Sequence, residues 1–150
     1  MPKLYDRKTP ITSGDLLNDR VLPFFEDQGV ALLRVLTDRG TEYCGNPERH
    51  EYELYLAVEN IDHRRTKVKS PQTNGIVERL HKTMLNEFYR VAMRKKIYRS
   101  IDQMQLDLDA WLADYNINRP HQSRWCFGKT PLQTFLDSKA IAQEKTLMAA

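Results

Sequence analysis

Long apolar runs are missing from this chain: none approaches the ~20 residues needed to cross a bilayer, and the amino terminus carries no apolar signal-peptide core. A cytoplasmic protein without a membrane partner is therefore expected. Cysteine is scarce, with only Cys44 and Cys126, and neither has a close partner or the paired Cys/His spacing of a zinc site. That excludes a zinc finger or ribbon and leaves two ordinary reduced thiols. The histidines (His50, His63, His81, His121) are scattered, so no His cluster offers a metal site either. There are no repeats, low-complexity segments or long linkers.

What is present suits one domain. The 150 residues carry a hydrophobic share of 41%, enough for a core, and a charged share of 29%, enough for a soluble surface. Net charge is only +3, but it is distributed unevenly. Residues 63–99 hold eleven Lys or Arg (Arg64, Arg65, Lys67, Lys69, Arg79, Lys82, Arg90, Arg94, Lys95, Lys96, Arg99) against Glu78 and Glu87. The segment is thus +9 and the remainder −6. A basic block interleaved with Tyr89 and Tyr98 is the footprint expected for a phosphate backbone, with a solvated helix face as the bland alternative.

Periodicity gives an α/β order. A short strand at Lys3 to Tyr5 precedes a helix near 13–28, capped by Thr12 or Ser13 and ended by Gln28-Gly29. Pro23 lies inside it and should kink it or end it early. The run Ala31 to Leu36 reads as a fully buried strand, broken only by Arg34. A helix over 47–60 turns Tyr52 and Leu56 inward, with Tyr55 and Val58 as further candidates, and Ile61 to Val68 reads as a charged edge strand. A helix over 74–96 carries the stripe Val77, Leu80, Met84, Phe88, Val91. The next, over 101–117, starts at a Ser100/Gln103 capping box and places Met104, Leu108, Trp111 and Tyr115 on one face, so Trp111 belongs to the core.

Two carboxylates stand out. Asp38 follows the apolar strand in a Thr-Asp-Arg-Gly turn, at the carboxyl end where ligands and catalytic groups gather in open α/β sheets. Glu78 lies 39 intervening residues later, in the first turns of the helix opened by Ser70-Pro71-Gln72-Thr73-Asn74-Gly75. Carboxylates on separate rigid elements can hold divalent cations of the magnesium type. Glu78 and Lys82 also fit a plain i to i+4 surface pair, worth ~0.3–0.5 kcal/mol.

The segments LTDRGTEYCG, IDHRRTKVKSPQTNGIVERLHKT, DYNINRPHQ and GKTPLQTFLD, in that order, resemble the catalytic core of DDE transposases of the bacterial insertion-sequence type, relatives of retroviral integrases. SPQTNGIVER before a helix is the most specific of them. The resemblance implies a ribonuclease-H-like fold and DNA cleavage and strand transfer by two Mg2+ or Mn2+ ions held by two aspartates and a glutamate. Asp38 and Glu78 match the second aspartate and the glutamate, as catalytic and metal-binding residues. It also implies DNA as partner, both transposon ends and target, with Arg64, Arg65, Lys67, Lys69, Asn74, Lys82 and Arg119 as its contacts. His121 is a weaker DNA candidate, and a capping or packing role for Arg119 and His121 is equally compatible. Self-association, or association with intact transposase, is the other partner class.

The first aspartate has no match. Asp6 and Asp15 are the only early acids, and neither sits in the right setting. The family's opening strand and its upstream zinc-binding or helix-turn-helix module have no counterpart either. The expectation is therefore an incomplete integrase core with a short mixed sheet of about three strands flanked by helices, spanning 1–136, and a carboxyl-terminal tail over 137–150. The complete two-metal site is expected only in the whole domain, and this chain by itself should be inactive. Two alternatives stand beside that reading: a non-catalytic DNA-binding or subunit-interaction module, and an untranslated or rapidly degraded relic.

Overall fold

Thr9 begins the first helix by capping it. In the computed structural model, which describes residues 2–67 and 75–149, the Thr9 hydroxyl accepts the Thr12 amide at 3.2 Å and Thr12 Oγ1 accepts the Thr9 amide at 3.0 Å. The cap lies one turn earlier than the expected Thr12 or Ser13, because Pro10 suits the first helical position, where no amide donor is needed. Helix α1 covers Pro10–Leu16, a wide π turn covers Leu17–Val21, and α2 covers Leu22–Asp27. Pro23 thus neither ends the helix nor needs a donor partner: the Leu22 amide reaches back five residues to Leu17, and the widened turn takes up the proline's missing hydrogen bond. Gly29, at φ 62°, closes the element as foreseen, with Val30 N–H returning to Phe25 O at 3.0 Å.

The strand β1 is Arg34–Thr37, shorter than the expected Ala31 to Leu36. It pairs in parallel with β2, Asp62–Arg65, in the register Arg34 to Asp62 through Thr37 to Arg65. The described sheet has these two strands and not three. Lys3 to Tyr5 form no strand: the Leu4 amide donates to Gln105 Oε1 at 2.7 Å, and Lys3 Nζ reaches Asp15 and Asp19 at 2.7 and 2.6 Å. With a neighbour on one edge only among the described residues, β1 is not fully buried. Leu33 and Leu36 are 52% and 53% exposed, while Val35 packs inward.

Helix α3 spans Glu51–Val58 and buries Tyr52 and Leu56 against Leu17 and Ile61. Tyr55 is half-buried, but Val58 is 75% exposed, since six positions after Tyr52 it points away from that face. Helix α4, Gly75–Met84, runs through a π turn at Leu85–Tyr89 into α5, Arg90–Lys95. The expected stripe holds at its centre, where Met84 and Phe88 are buried with Leu80 beside them. Val77 and Val91 are 45% and 40% exposed, Val91 following a turn that adds a residue and so changes the angular phase.

Helix α6, Ile101–Asn118, is capped by Ser100, whose hydroxyl accepts the Gln103 amide at 3.3 Å. The Gln103 side chain accepts from the Arg99 amide, one residue before the cap. Leu108 and Leu112 are its most buried residues, and Trp111 packs beside them as expected. Helix α7, Pro131–Ala149, runs unbroken across residues 136 and 137. Two apolar clusters result, one around Leu17, Tyr52, Leu56 and Ile61, the other around Met84, Phe88, Leu108 and Leu112. The Arg20 to Asp109 ion pair at 3.2 Å and the amino-terminal arm tie them together.

Candidate catalytic site and nucleic-acid interface

Asp38 leaves the end of β1 with its side chain exposed and its direction set by a local turn. Its Oδ1 accepts the Gly40 amide at 2.9 Å, and the Gly40 carbonyl accepts the Tyr43 and Cys44 amides at 3.0 Å each. Beneath the turn lies Glu42, a carboxylate 4% exposed, held by Lys8 Nζ at 2.6 Å. That hydrogen bond holds the Lys8 amine above its usual range. A Cβ on Gly40 would lie 2.6 Å from Glu42 Cδ, so any side chain at this position of the Thr-Asp-Arg-Gly turn would force the buried Glu42 carboxylate to shift.

A second buried group supports the same strand end. His63 Nδ1 lies 2.9 Å from Glu53 Oε2, and His63 Nε2 lies 2.8 Å from Thr37 Oγ1. Arg65 donates to the other Glu53 oxygen. Burial pushes the Glu53 carboxyl up, but the bonds from His63 and Arg65 outweigh it and hold the group below its ordinary range. Sequence reasoning missed Glu53, His63, Thr37, Glu42 and Lys8. Their partners are ten to thirty-four residues away, so no local spacing signals them.

Glu78 sits exposed in the first turn of α4. The turn leading into it, with Lys69 and Asn74, lies outside the described residues. Asp38 and Glu78 make no hydrogen bond to each other, and no group of three His, Cys, Asp or Glu suited to a metal occurs among the described residues. The early acids do not supply a third ligand. Asp15 is taken up by Lys3 and the Tyr5 hydroxyl, which hold it below its usual range, and Asp6 lies beside Arg7. Asp38 and Glu78 are both exposed, and among the described residues neither has a cationic partner within ion-pair distance.

The basic block divides in two. Arg64 is paired with Asp62 at 2.9 Å, Arg65 with Glu53 and Lys96 with Asp107 at 2.8 Å; beyond the block, Arg119 is paired with Glu87 while lying over the Tyr115 ring. Lys67, Arg79, Lys82, Arg90, Arg94 and Lys95 are exposed and, among the described residues, have no acid within ion-pair distance. Arg90, Arg94 and Lys95 line a shallow groove of about 460 Å³ with Asn86 and Val91. At the end of α6 the rings of Phe88, Trp111, Tyr115 and His121 follow one another at 6.0, 5.2 and 5.0 Å. Burial, then the nearby Arg119 charge, lowers the His121 imidazole from its usual range, which fits a packing role.

Residues 59–126 match the family described as Integrase core domain. A protein of Spiroplasma virus SpV1-C74 named as an integrase, ORF3, is 27% identical over 128 residues, covering 80% of this chain and 34% of its own length. An uncharacterized protein of insertion element IS136 from Agrobacterium fabrum is 28% identical over 88 residues, covering 59% of this chain and 41% of its own. The chain therefore spans about two-fifths or less of these relatives. In fold it is similar to the catalytic core domain of BIV integrase, with a TM-score of 0.62 and 17% identity over 93% of this chain and 78% of that one. No helix among the described residues is long and apolar enough to cross a membrane. The parallel strand pair that ends in Asp38, the helix that opens with Glu78 and these likenesses together make the chain similar to the DDE integrases and transposases, on an incomplete ribonuclease-H-like core.

Proposed function

We propose that this chain supplies part of a metal-dependent DNA cleavage and strand-transfer site, with Asp38 and Glu78 as its carboxylates. The observation that carries this is the placement of Asp38, held by its own turn at the carboxyl end of a parallel strand and directed into solvent, in a chain whose residues 59–126 match the integrase core family. A bound Mg2+ or Mn2+ would activate the attacking hydroxyl and stabilise charge on phosphate oxygens. The chain's own residues present the carboxylates, and the exposed cations of α4 and α5 attract the DNA backbone. These 150 residues offer two family acids, so two bridged ions need a further acid from outside them.

The test is catalytic. The 150-residue chain with Mg2+ or Mn2+ should neither cleave nor join DNA ends. A version extended upstream to include a strand-borne aspartate should gain a metal-dependent activity that Asp38→Asn or Glu78→Gln abolishes without unfolding the protein. Strand transfer by the unextended chain would refute this account.

A second reading, as a subunit-interaction module, has one observation in its favour. The free edge of β1, with Leu33 and Leu36 more than half exposed, suits pairing with another strand. Concentration-dependent sedimentation that Leu36→Lys abolishes would support it.

A further inference from the structure

One hydrogen-bonded line runs from the interior to the backbone of Asp38. Its inner end is Glu53, whose side chain is 10% exposed, and its middle is His63, at 7%. A carboxylate only accepts, so His63 Nδ1 carries hydrogen toward Glu53 Oε2 at 2.9 Å. The other ring nitrogen meets Thr37 Oγ1 at 2.8 Å, and that hydroxyl donates to the Asp38 carbonyl at 2.9 Å. Thr37 has a single hydroxyl hydrogen, so the line is continuous to Asp38 when Nε2–H donates to Thr37 Oγ1 and leaves that hydrogen for the Asp38 carbonyl. Tyr52 presses its ring edge-on against the imidazole at 5.6 Å, and Arg65 occupies the second Glu53 oxygen. The ring therefore has little freedom to move.

A buried histidine needs two polar partners, and any two would satisfy it. Here the second partner is the last residue of β1, and its hydroxyl continues to the residue whose Oδ1 takes the Gly40 amide. Helix α3, strand β2 and the end of β1 are thereby joined at the point where the Asp38 carboxylate leaves the fold. Outer partners of this kind orient a ligand, and losing one weakens metal affinity.

We propose that His63 is a positioning residue: through Thr37 it fixes the backbone of Asp38, and so the direction of the carboxylate offered to a divalent cation. This rests on the reading of Asp38 as a cation ligand. The test has two arms on the ¹⁵N-labelled 150-residue chain. The first, without metal, follows amide shifts and hydrogen exchange at Asp38 to Gly40. The second titrates Mn2+ and follows paramagnetic broadening of the same amides.

Thr37→Val, which keeps shape and removes the hydroxyl, should speed Gly40 exchange about tenfold and raise the Mn2+ needed for broadening about tenfold, the low end for loss of an outer partner. Thr37→Ser should restore both. His63→Asn, whose amide can replace Nδ1 toward Glu53 but not Nε2, should resemble Thr37→Val, and His63→Gln, which reaches Thr37, should lie nearer the parent. A purely structural histidine would lower the urea midpoint in both His63 variants alike. Unchanged Gly40 exchange and Mn2+ response in Thr37→Val and His63→Asn overturn the role of His63. Absence of broadening at Asp38 in the parent overturns the cation reading, while the metal-free arm still decides the link from His63 to Asp38.

Discussion

Removing the unpaired cations Lys67, Arg79 and Lys82 should change DNA binding far more than removing the paired Arg64 and Arg65. Each phosphate contact contributes about 0.9 to the slope of log affinity against log salt, so three lost contacts flatten it by about 2.7. Between 50 and 200 mM salt that corresponds to a difference of about 40-fold in salt-induced affinity loss between parent and triple alanine variant. Arg64 and Arg65 are already ion-paired with Asp62, which Arg34 shares, and with Glu53, and each would have to leave an acid before meeting a phosphate. Their double alanine variant should therefore flatten the slope by less than about 1, one contact or fewer. Fluorescence anisotropy with a labelled duplex over that salt range measures both slopes. If Arg64→Ala/Arg65→Ala flattens the slope as much as the triple variant does, ion pairing in the free chain does not select the contacts. If neither changes it, the interface is not on β2 and α4.

The remaining predictions concern folding. Leu108→Ala opens a cavity in the second apolar cluster and should cost about 2–5 kcal/mol, read from urea unfolding. Gly40→Ala drives a methyl into the Glu42 carboxylate and should cost about 1–3 kcal/mol, as overpacking does, and a second substitution, Glu42→Ala, should recover most of it. Docking of the amino-terminal arm should be lost at both pH extremes. Asp15 is held below its ordinary 3.8 by Lys3 and Tyr5, so its contribution is full above that value and fades as pH falls through the lower folded one. Lys3 is held above its ordinary 10.5 by Asp15 and Asp19, so its contribution is full below that value and fades as pH rises through the higher folded one. Lys3→Met should flatten both limbs of the stability profile, and an unchanged acid limb would refute the assignment to this pair.

What was legible in advance is what neighbouring residues settle among themselves. Ser100 and Gly29 mark helix ends through bonds that span at most five residues, and the Met84, Phe88 and Leu108 positions follow from helical spacing alone. The settings of Asp38 and Glu78, a turn after an apolar run and a turn before a periodic stretch, are likewise local, and the resemblance to the integrase family rests on them. Where the physics is non-local, the reading stopped short. Ala31 to Leu36 is apolar enough for a strand covered on both faces, yet the extent of its cover depends on how many strands stand beside it, and one does. Pro23 forbids a regular helix but not a π turn, and the packing of Leu17 on α3 favours keeping the helix whole. Arg64 and Arg65 look equivalent to Lys67 in a charge count. Arg64 is claimed by Asp62 two residues before it on the same strand, whereas only the approach of α3 to β2 reveals that Glu53 has claimed Arg65, because a Coulomb partner is chosen by distance in space and not along the chain. The same approach brings Glu53, His63 and Thr37 into one line behind Asp38.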